Sequence, residues 1–389
     1  MQNTNKLKYL LAFGHMCSDI NQGALAAVLP FLIAAYHYDY QTAATLVLVS
    51  NVIGSVIQPI FGNLADKYNK PYLIAVGLVL AGGGMALTGF IENFYGLCLA
   101  VMISGVGIAM FHPQAAQLIN RASTDSNRAQ SISVFSFGGN LGFSFGPILT
   151  TISITTFGMA GTLIFIVPEI IICILLKKYY NDLKNLNRTK ISKVGSKGAG
   201  VDNWSAFFRL TAVVIGRSII FHGFNTFLAL YWIHELGQTE TIGNTVLSAY
   251  YAISAACVLI GGKLADSFGY RTMIKISFAI LLVTIIALAN SESLFVSTIL
   301  ILPLGAAISF TYSPMVVLGQ LYLPNRVGLA SGVTLGLAIS MGGIFAPILG
   351  AVADNFGLLT TIYVIAGIAI LPLAVAFTLP PVGGKNFGK

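Results

Sequence analysis

Asp19 lies near the middle of a long apolar stretch, with His15 four residues before it and Gln22 three residues after. On a helix that spacing puts His15 and Asp19 on one face. An acid beside an imidazole can take up a proton, hold it and release it; the same pair can also serve as a fixed bond between helices. His112 precedes Pro113 in another apolar stretch, where the proline frees a backbone carbonyl. Imidazoles exchange protons near neutral pH, so proton relay and ligand binding are open to His112, as is a bond to a nearby carbonyl. Asp19, His15 and His112 are the candidates for proton coupling.

Two more charges interrupt apolar sequence. Arg217 can hold an anionic group or act as the counter-charge to Asp19, or it can reach toward the membrane interface as snorkelling arginines do. His222 is five residues on, about 140° around a helix, so the two need not share a face. Glu169, beside Pro168, reads either as a transport acid or as a neutral group bonded to the backbone that the proline disturbs. Gln22, Asn140, Asn225, Tyr250, Tyr251 and Tyr312 are further candidates for lining a ligand pocket, and Gln58 joins them. Such groups also serve as bonds between helices.

The elements that must carry these residues follow from composition. Of 389 residues, 56% are hydrophobic and only 9% charged, against about 25% charged in soluble domains. Mean hydropathy is +0.82. Such a chain cannot surround an ordinary core with a charged surface, and it reads as an all-α integral membrane protein. Apolar runs fall at roughly 9–35, 42–64, 71–91, 94–119, 129–153, 158–178, 208–234, 242–264, 272–290, 294–323, 327–352 and 358–379. Twelve membrane helices leave no room for a sizeable soluble catalytic domain. A charge at the centre of such a helix costs about 2.5–3.5 kcal/mol, which is why Asp19, Glu169 and Arg217 stand out.

The net charge of +8 has a topological explanation. With the N-terminus placed inside, every lysine and arginine except Arg217 falls in inside segments, whereas the opposite loops carry only acids such as Asp39, Glu92, Glu235 and Asp354. That asymmetry predicts two cytoplasmic termini and removes the need for nucleic acid as a partner. The first run is too long for a cleavable signal and lacks a small-residue cleavage site. Cys17, Cys98, Cys173 and Cys257 share no spacing and read as buried thiols rather than disulfides or metal ligands. No Walker loop, zinc spacing or nucleophile elbow is present, so neither an enzyme nor a cofactor is expected.

The one sustained polar stretch, rich in lysine and asparagine, divides the runs six and six. The expected organisation is a bundle at 1–178, a basic cytoplasmic linker at 179–207 and a second bundle at 208–389. The halves repeat: Gly62-Asn63-Leu64-Ala65-Asp66 recurs as Gly262-Lys263-Leu264-Ala265-Asp266, and Gly146-Pro147-Ile148-Leu149 as Ala346-Pro347-Ile348-Leu349, both at an offset of 200. Duplicated bundles of this kind place substrate near the membrane midplane.

With Gly62-x-Leu64-Ala65-Asp66-Lys67-x-x-Lys70 after the second run, the chain resembles the major facilitator superfamily. Within it, Gly14-His15-x-x-x-Asp19, Phe111-His112-Pro113 and Gly138-Gly139-Asn140-x-Gly142-x-x-x-Gly146-Pro147 are similar to the fosmidomycin-resistance group of bacterial drug exporters. The resemblance implies twelve transmembrane helices in two pseudo-symmetric six-helix bundles. It also implies gating roles for Gly62, Asp66 and Lys67 and for their repeats Gly262, Asp266 and Arg271. Gly138, Gly139, Gly142, Gly146 and Pro147 match an antiporter motif, although Ile148-Leu149-Thr150-Thr151 stands where a glycine pair is usual. The arginine common in the fourth helix of the superfamily's antiporters is replaced here by Ile103-Ser104-Gly105 and its neighbours.

The expected function is proton-driven export of drugs or related small molecules from the bacterial inner membrane. A monomer would do this with the proton gradient as its only energy source and with protons, substrate and membrane lipid as its partners. Proton-coupled import of a metabolite or organic anion is the alternative, followed by a membrane sensor that transports nothing.

Overall fold

The computed structural model describes residues 2–67, 70–123, 128–186, 201–326, 329–330 and 332–381. Two compact units divide the chain, Met1–Ile191 and Ser192–Lys389. Within the first lie α1 (Gln2–Tyr36), α2 (Tyr40–Lys67), α3 (Tyr72–Leu87), α4 (Phe94–Ala122), α5 (Arg128–Phe157), α6 (Ile166–Lys178) and the short α7 (Tyr180–Lys184). The second contains α8 (Trp204–His234), α9 (Glu240–Phe268), α10 (Tyr270–Ala289), α11 (Leu294–Phe310), α12 (Tyr312–Tyr322), α13 (Ala338–Phe356) and α14 (Leu358–Thr378).

Some rods are built of two pieces. A 3₁₀ turn, Gly158–Phe165, leads into α6, and a π segment, Gly332–Leu337, leads into α13. Thr311 joins α11 to α12. Counted as rods, and setting α7 aside, the described residues form six in each unit. Eight stretches are individually long and apolar enough to cross a membrane, and the bent α9 makes a ninth. One of the eight, Ser131–Lys178, runs 48 residues, enough for two crossings. Gly158, with φ of +61°, turns the chain between them, a backbone state that favours glycine. The short apolar helices Tyr72–Leu87 and Met341–Phe356 make up the rest. The fold is the all-α membrane architecture that the apolar runs imply.

α1 is the centre of the first unit. Leu7, Leu10, Leu11 and Cys17 pack with Ile74, Leu78, Phe111 and Ile172, while Ile20, Ala24, Val28 and Leu32 pack with Leu46, Met85, Leu97 and Ile154. Between these two apolar clusters lies a buried polar layer of Ser18, Asp19 and Asn21.

α5 closes against one side of that layer through its glycines. A Cβ at Gly138 would meet Ala12 O, one at Gly142 would meet Met16 O, and one at Gly146 would lie 2.5 Å from Ala24 N. Residues at i, i+4 and i+8 share a helix face, so this seam sets the backbones of α1 and α5 together as small-residue membrane interfaces do.

The 200-residue repeat recurs as matched packing inside each unit. Gly105 lies against Ser50 O and Gly305 against Tyr250 O; Gly62 faces Pro113 and Gly262 faces Ser313. For Gly62 and Gly262 the nearest atom among the described residues is 3.9 Å away, which is ordinary contact and not a close helix approach. Gly332 has nothing within 4 Å among the described residues, whereas Gly342 presses on Ser218 and His222.

Asn203 caps α8, its Oδ1 accepting from Ala206 N at 3.0 Å, so the helix begins four residues before the expected 208. Of the expected linker, 187–200 lie outside the described residues, 180–184 are helical and Leu183 is buried.

Candidate functional site

Asp19 receives two imidazoles. His112 Nε2–H donates to Asp19 Oδ1 at 2.8 Å, carrying α4 onto α1, and His15 Nε2 lies 3.2 Å from Asp19 Oδ2. Gln22 Nε2 donates to Oδ1 at 3.4 Å. The residues singled out for proton coupling are thus in one cluster. Asp19 is buried, while His15 and His112 keep 14% and 22% of their side chains exposed.

The second nitrogen of His15 constrains where a hydrogen sits. Nδ1 lies 2.7 Å from the Phe135 carbonyl, which can only accept, so Nδ1 carries a hydrogen and donates it. In a neutral imidazole Nε2 is then bare, with its lone pair toward a carboxylate oxygen. Two lone pairs at 3.2 Å repel; the contact becomes attractive once a cation lies between them. A proton is the smallest such cation, whether the result is written as imidazolium and carboxylate or as imidazole and carboxylic acid. The Phe135 ring stacks on His15 at 4.0 Å between centroids and holds the imidazole in plane. Phe135 carries no chemistry-bearing side chain, so nothing in the sequence pointed to it.

Gly139 makes room for the cluster. A Cβ there would lie 2.6 Å from Asp19 Oδ2 and 2.6 Å from His15 Nε2. Asn140 is not part of it: its Nδ2 donates to Ser136 O on its own helix at 3.0 Å. Pro147 lies within α5 beyond the seam.

Glu169 belongs to a separate contact. It is fully buried in the first turn of α6, and Oε1 accepts from Asn21 Nδ2 at 2.7 Å. The partner is therefore a side chain of α1 and not the backbone disturbed by Pro168. Asn21 is two residues from Asp19, about 200° around the helix, so Glu169 and the imidazoles hold opposite sides of α1. The acceptor is what this contact needs. Glu169→Gln, which keeps a carbonyl oxygen, is expected to melt with the parent in detergent. Glu169→Ala is expected to lose about 1–3 kcal/mol for the lost acceptor and more for the cavity. Equal melting of the two variants would remove this structural role.

In the second unit Arg217 lies near the middle of α8. Nε donates to Thr311 Oγ1 at 2.9 Å and to Ile308 O at 3.1 Å, across the α11–α12 junction. Its guanidinium carbon is 5.5 Å from the Phe221 ring centroid and 5.3 Å from that of Tyr312. It does not snorkel to the helix end. Among the described residues no carboxylate pairs with it. Tyr250 is fully buried and, among the described residues, its hydroxyl has no hydrogen-bond partner. At the 200-residue offset Tyr312 corresponds to His112, so each unit sets an α4-type ring against a charge on its central helix. That offset could have found Tyr312 as a partner of Arg217; Thr311 and Ile308 had no such signal.

His222 turns elsewhere, against Gly342 of α13, and Tyr251 packs beside Tyr250 with ring centroids 5.7 Å apart. Asn225 is buried with Oδ1 unpartnered. Of the gating residues, the side chains of Asp66 and Lys67 lie outside the described residues. Asp266 accepts from Tyr270 OH at 2.9 Å, and Arg271 has a buried Nε without a hydrogen-bond partner. All four cysteines are free.

Two repeated helical units, with Asp19 buried near the middle of α1 and Arg217 half-buried near the middle of α8, define a multi-pass membrane protein. The sequence matches the profile of the Major Facilitator Superfamily over residues 11–335 and again over 210–389, and the chain belongs to that family. Among curated relatives, the fosmidomycin resistance protein of Escherichia coli is 25% identical over 95% of this chain and 91% of its own. The uncharacterized MFS-type transporter YfnC of Bacillus subtilis is 27% identical over 95% and 92%. A solved bacterial homologue of the human lysosomal transporter Spinster, inward-facing and occupied, shares the fold with a TM-score of 0.81 at 14% identity, covering 96% of each chain. The chain is a membrane transporter and not an enzyme.

Proposed function

We propose that the chain is a proton-coupled antiporter that exports drugs or related small molecules from the bacterial cytoplasm by alternating access. The carrying observation is the proton-requiring contact between His15 Nε2 and Asp19 Oδ2, with His112 on the other carboxylate oxygen. The bonds from α1 to His112 of α4 and to the Phe135 carbonyl of α5 stand with or without that proton; what the proton changes is the His15–Asp19 contact within α1. When the proton leaves, His15 and Asp19 face each other as lone pairs, and Asp19 keeps only its bonds from His112 and Gln22. A conformation that holds His15 and Asp19 at another separation would bind that proton with a different affinity, which is what coupling requires. The drug-resistance relative supports the substrate class. The proton gradient is the energy source, the monomer the working unit, and both termini lie in the cytoplasm.

An organic-anion substrate is favoured by one further observation: among the described residues no carboxylate pairs with Arg217 and no hydrogen-bond partner meets the Tyr250 hydroxyl. Arg217 Nε is occupied by Thr311 and Ile308, which leaves the guanidinium's two amino groups to meet an anion. Arg217→Lys keeps the charge but not the fork. It is expected to raise the KM for an anionic substrate about 10- to 100-fold, as for losing a charge-assisted hydrogen bond, and to leave cationic substrates unchanged. An equal loss for both classes would place Arg217 in the scaffold. The direction of labelled fosmidomycin movement under an inward proton gradient separates export from import: accumulation inside right-side-out vesicles would reverse the antiport reading.

A further inference from the structure

We propose that His15, Asp19 and His112 also form a binding site for one divalent transition-metal ion of the zinc class, which blocks transport by taking the proton's place. The binding stands on geometry alone; the block rests on the proton-coupling reading above.

Two imidazole nitrogens and one carboxylate oxygen are a donor set that suits Zn²⁺, Co²⁺ or Ni²⁺ and not Mg²⁺ or Ca²⁺; His112 joins it by moving its hydrogen from Nε2 to Nδ1, so that Nε2 presents a lone pair to the ion. Bond lengths near 2.0–2.2 Å put neighbouring ligand atoms of a tetrahedral zinc about 3.3–3.5 Å apart. Here His15 Nε2 lies 3.2 Å from Asp19 Oδ2 and His112 Nε2 lies 2.8 Å from Asp19 Oδ1, and one ligand atom from each of the three residues lies within 4.8 Å of the others. Small rotations of the imidazoles therefore open the group around an ion without moving a helix.

The surroundings of His15 have the form that metal-bound histidines need. Its Nδ1–H donates to the Phe135 carbonyl at 2.7 Å, which fixes the tautomer with a lone pair on Nε2, directed at the shared position. Gly139 keeps that position clear, because any Cβ there would crowd both Asp19 Oδ2 and His15 Nε2. Both imidazoles are partly exposed, so an ion has a route in. Among the described residues this is the one group of three or more histidine, cysteine or acidic side chains close enough to share an ion. Three protein ligands leave a fourth position for water, as in open zinc sites.

The test uses the full chain, purified in detergent without a histidine tag and titrated at fixed neutral pH with Co²⁺ and then Zn²⁺. The expected result is one Co²⁺ per chain, with visible ligand-field absorption that Zn²⁺ abolishes. His15→Gln and His112→Gln should each weaken binding by more than the roughly 10- to 100-fold seen when an outer partner of a metal ligand is lost. Replacing His37 and His234 together should leave binding unchanged, and size-exclusion profiles would show that each variant is folded. No stoichiometric absorption, or absorption unaffected by either variant, overturns the site. In proteoliposomes, saturating Zn²⁺ should abolish substrate-driven proton flux. Variant-sensitive binding without that block keeps the site and overturns the proton-coupling reading.

Discussion

Asp19→Asn is expected to insert and fold as the parent does and yet to lose proton-driven transport completely. The amide reproduces one protonation state of the carboxyl. Its oxygen still accepts from His112 Nε2–H, and its Nδ2–H donates to the bare Nε2 of His15, where the carboxylate needs a proton. Every bond of the protonated cluster is kept, and none depends on a proton any longer. Downhill exchange of substrate, which needs no coupling, should survive. Transport driven by a pH gradient in reconstituted vesicles is the direct measurement. Asp19→Ala, by contrast, leaves two imidazoles without their shared partner and should lower thermal stability as well. Preserved gradient-driven transport in Asp19→Asn would move the coupling to another acid.

The second large effect is expected at a residue with no functional group. Gly139→Ala puts a methyl 2.6 Å from Asp19 Oδ2 and from His15 Nε2, far inside van der Waals contact. Either the cluster or the α1–α5 seam must give, and overpacking of this kind costs about 1–3 kcal/mol. Gradient-driven transport should fall toward the level of Asp19→Asn, and Gly139→Val should fall further. Gly332→Ala, placed where nothing lies within 4 Å, is the matched control and should transport as the parent does. Coupled transport at parental rate in Gly139→Ala would show that the cluster's geometry is not critical. Substrate-driven proton flux with both variants, on protein checked for folding, separates these outcomes.

What was legible in the sequence depended on how local the signal was. The His15–Asp19 pair could be read from spacing, because i and i+4 meet on any helix. The contact of His112 with Asp19 joins residues 93 apart, and only the proton chemistry of their side chains, with no spacing between them, placed them in the same list. Glu169 was visible as a buried acid, but its partner was not. Asn21 looks like any other amide in a membrane helix, and Pro168 directed attention to the backbone instead. Arg217 was visible but misplaced along its helix. The capping Asn203 and the aromatic-polar start of α8 follow a basic stretch, so the apolar pattern starts the helix at 208 and sets the arginine nearer an interface. Once the start is moved to Trp204, Arg217 is near the helix middle and snorkelling is out of reach.

The fold was more legible than the site. Charge asymmetry and apolar runs carry most of the rods, and the 200-residue offset carries the division in two. The exceptions are physical as well. α3 has 16 residues, α13 starts from a π segment, and α11 stops at Thr311 before α12 resumes. Each is a break inside a run that hydropathy alone reads as continuous. The glycines of α5 were recognised as a motif, but their individual duties were not. Gly138, Gly142 and Gly146 set the helices together, whereas Gly139 clears space for the chemistry.

Proton movement in everted membrane vesicles, followed with a pH-sensitive dye, tests the coupling most directly. Fosmidomycin and a small panel of cationic and anionic drugs would be added to vesicles carrying the parent protein or Asp19→Asn. The expected result is loss of the pH gradient on adding a substrate in the parent and none in Asp19→Asn, with the responding compounds revealing the preferred charge. A substrate-triggered response of equal size in both proteins would contradict proton coupling at the His15–Asp19–His112 cluster.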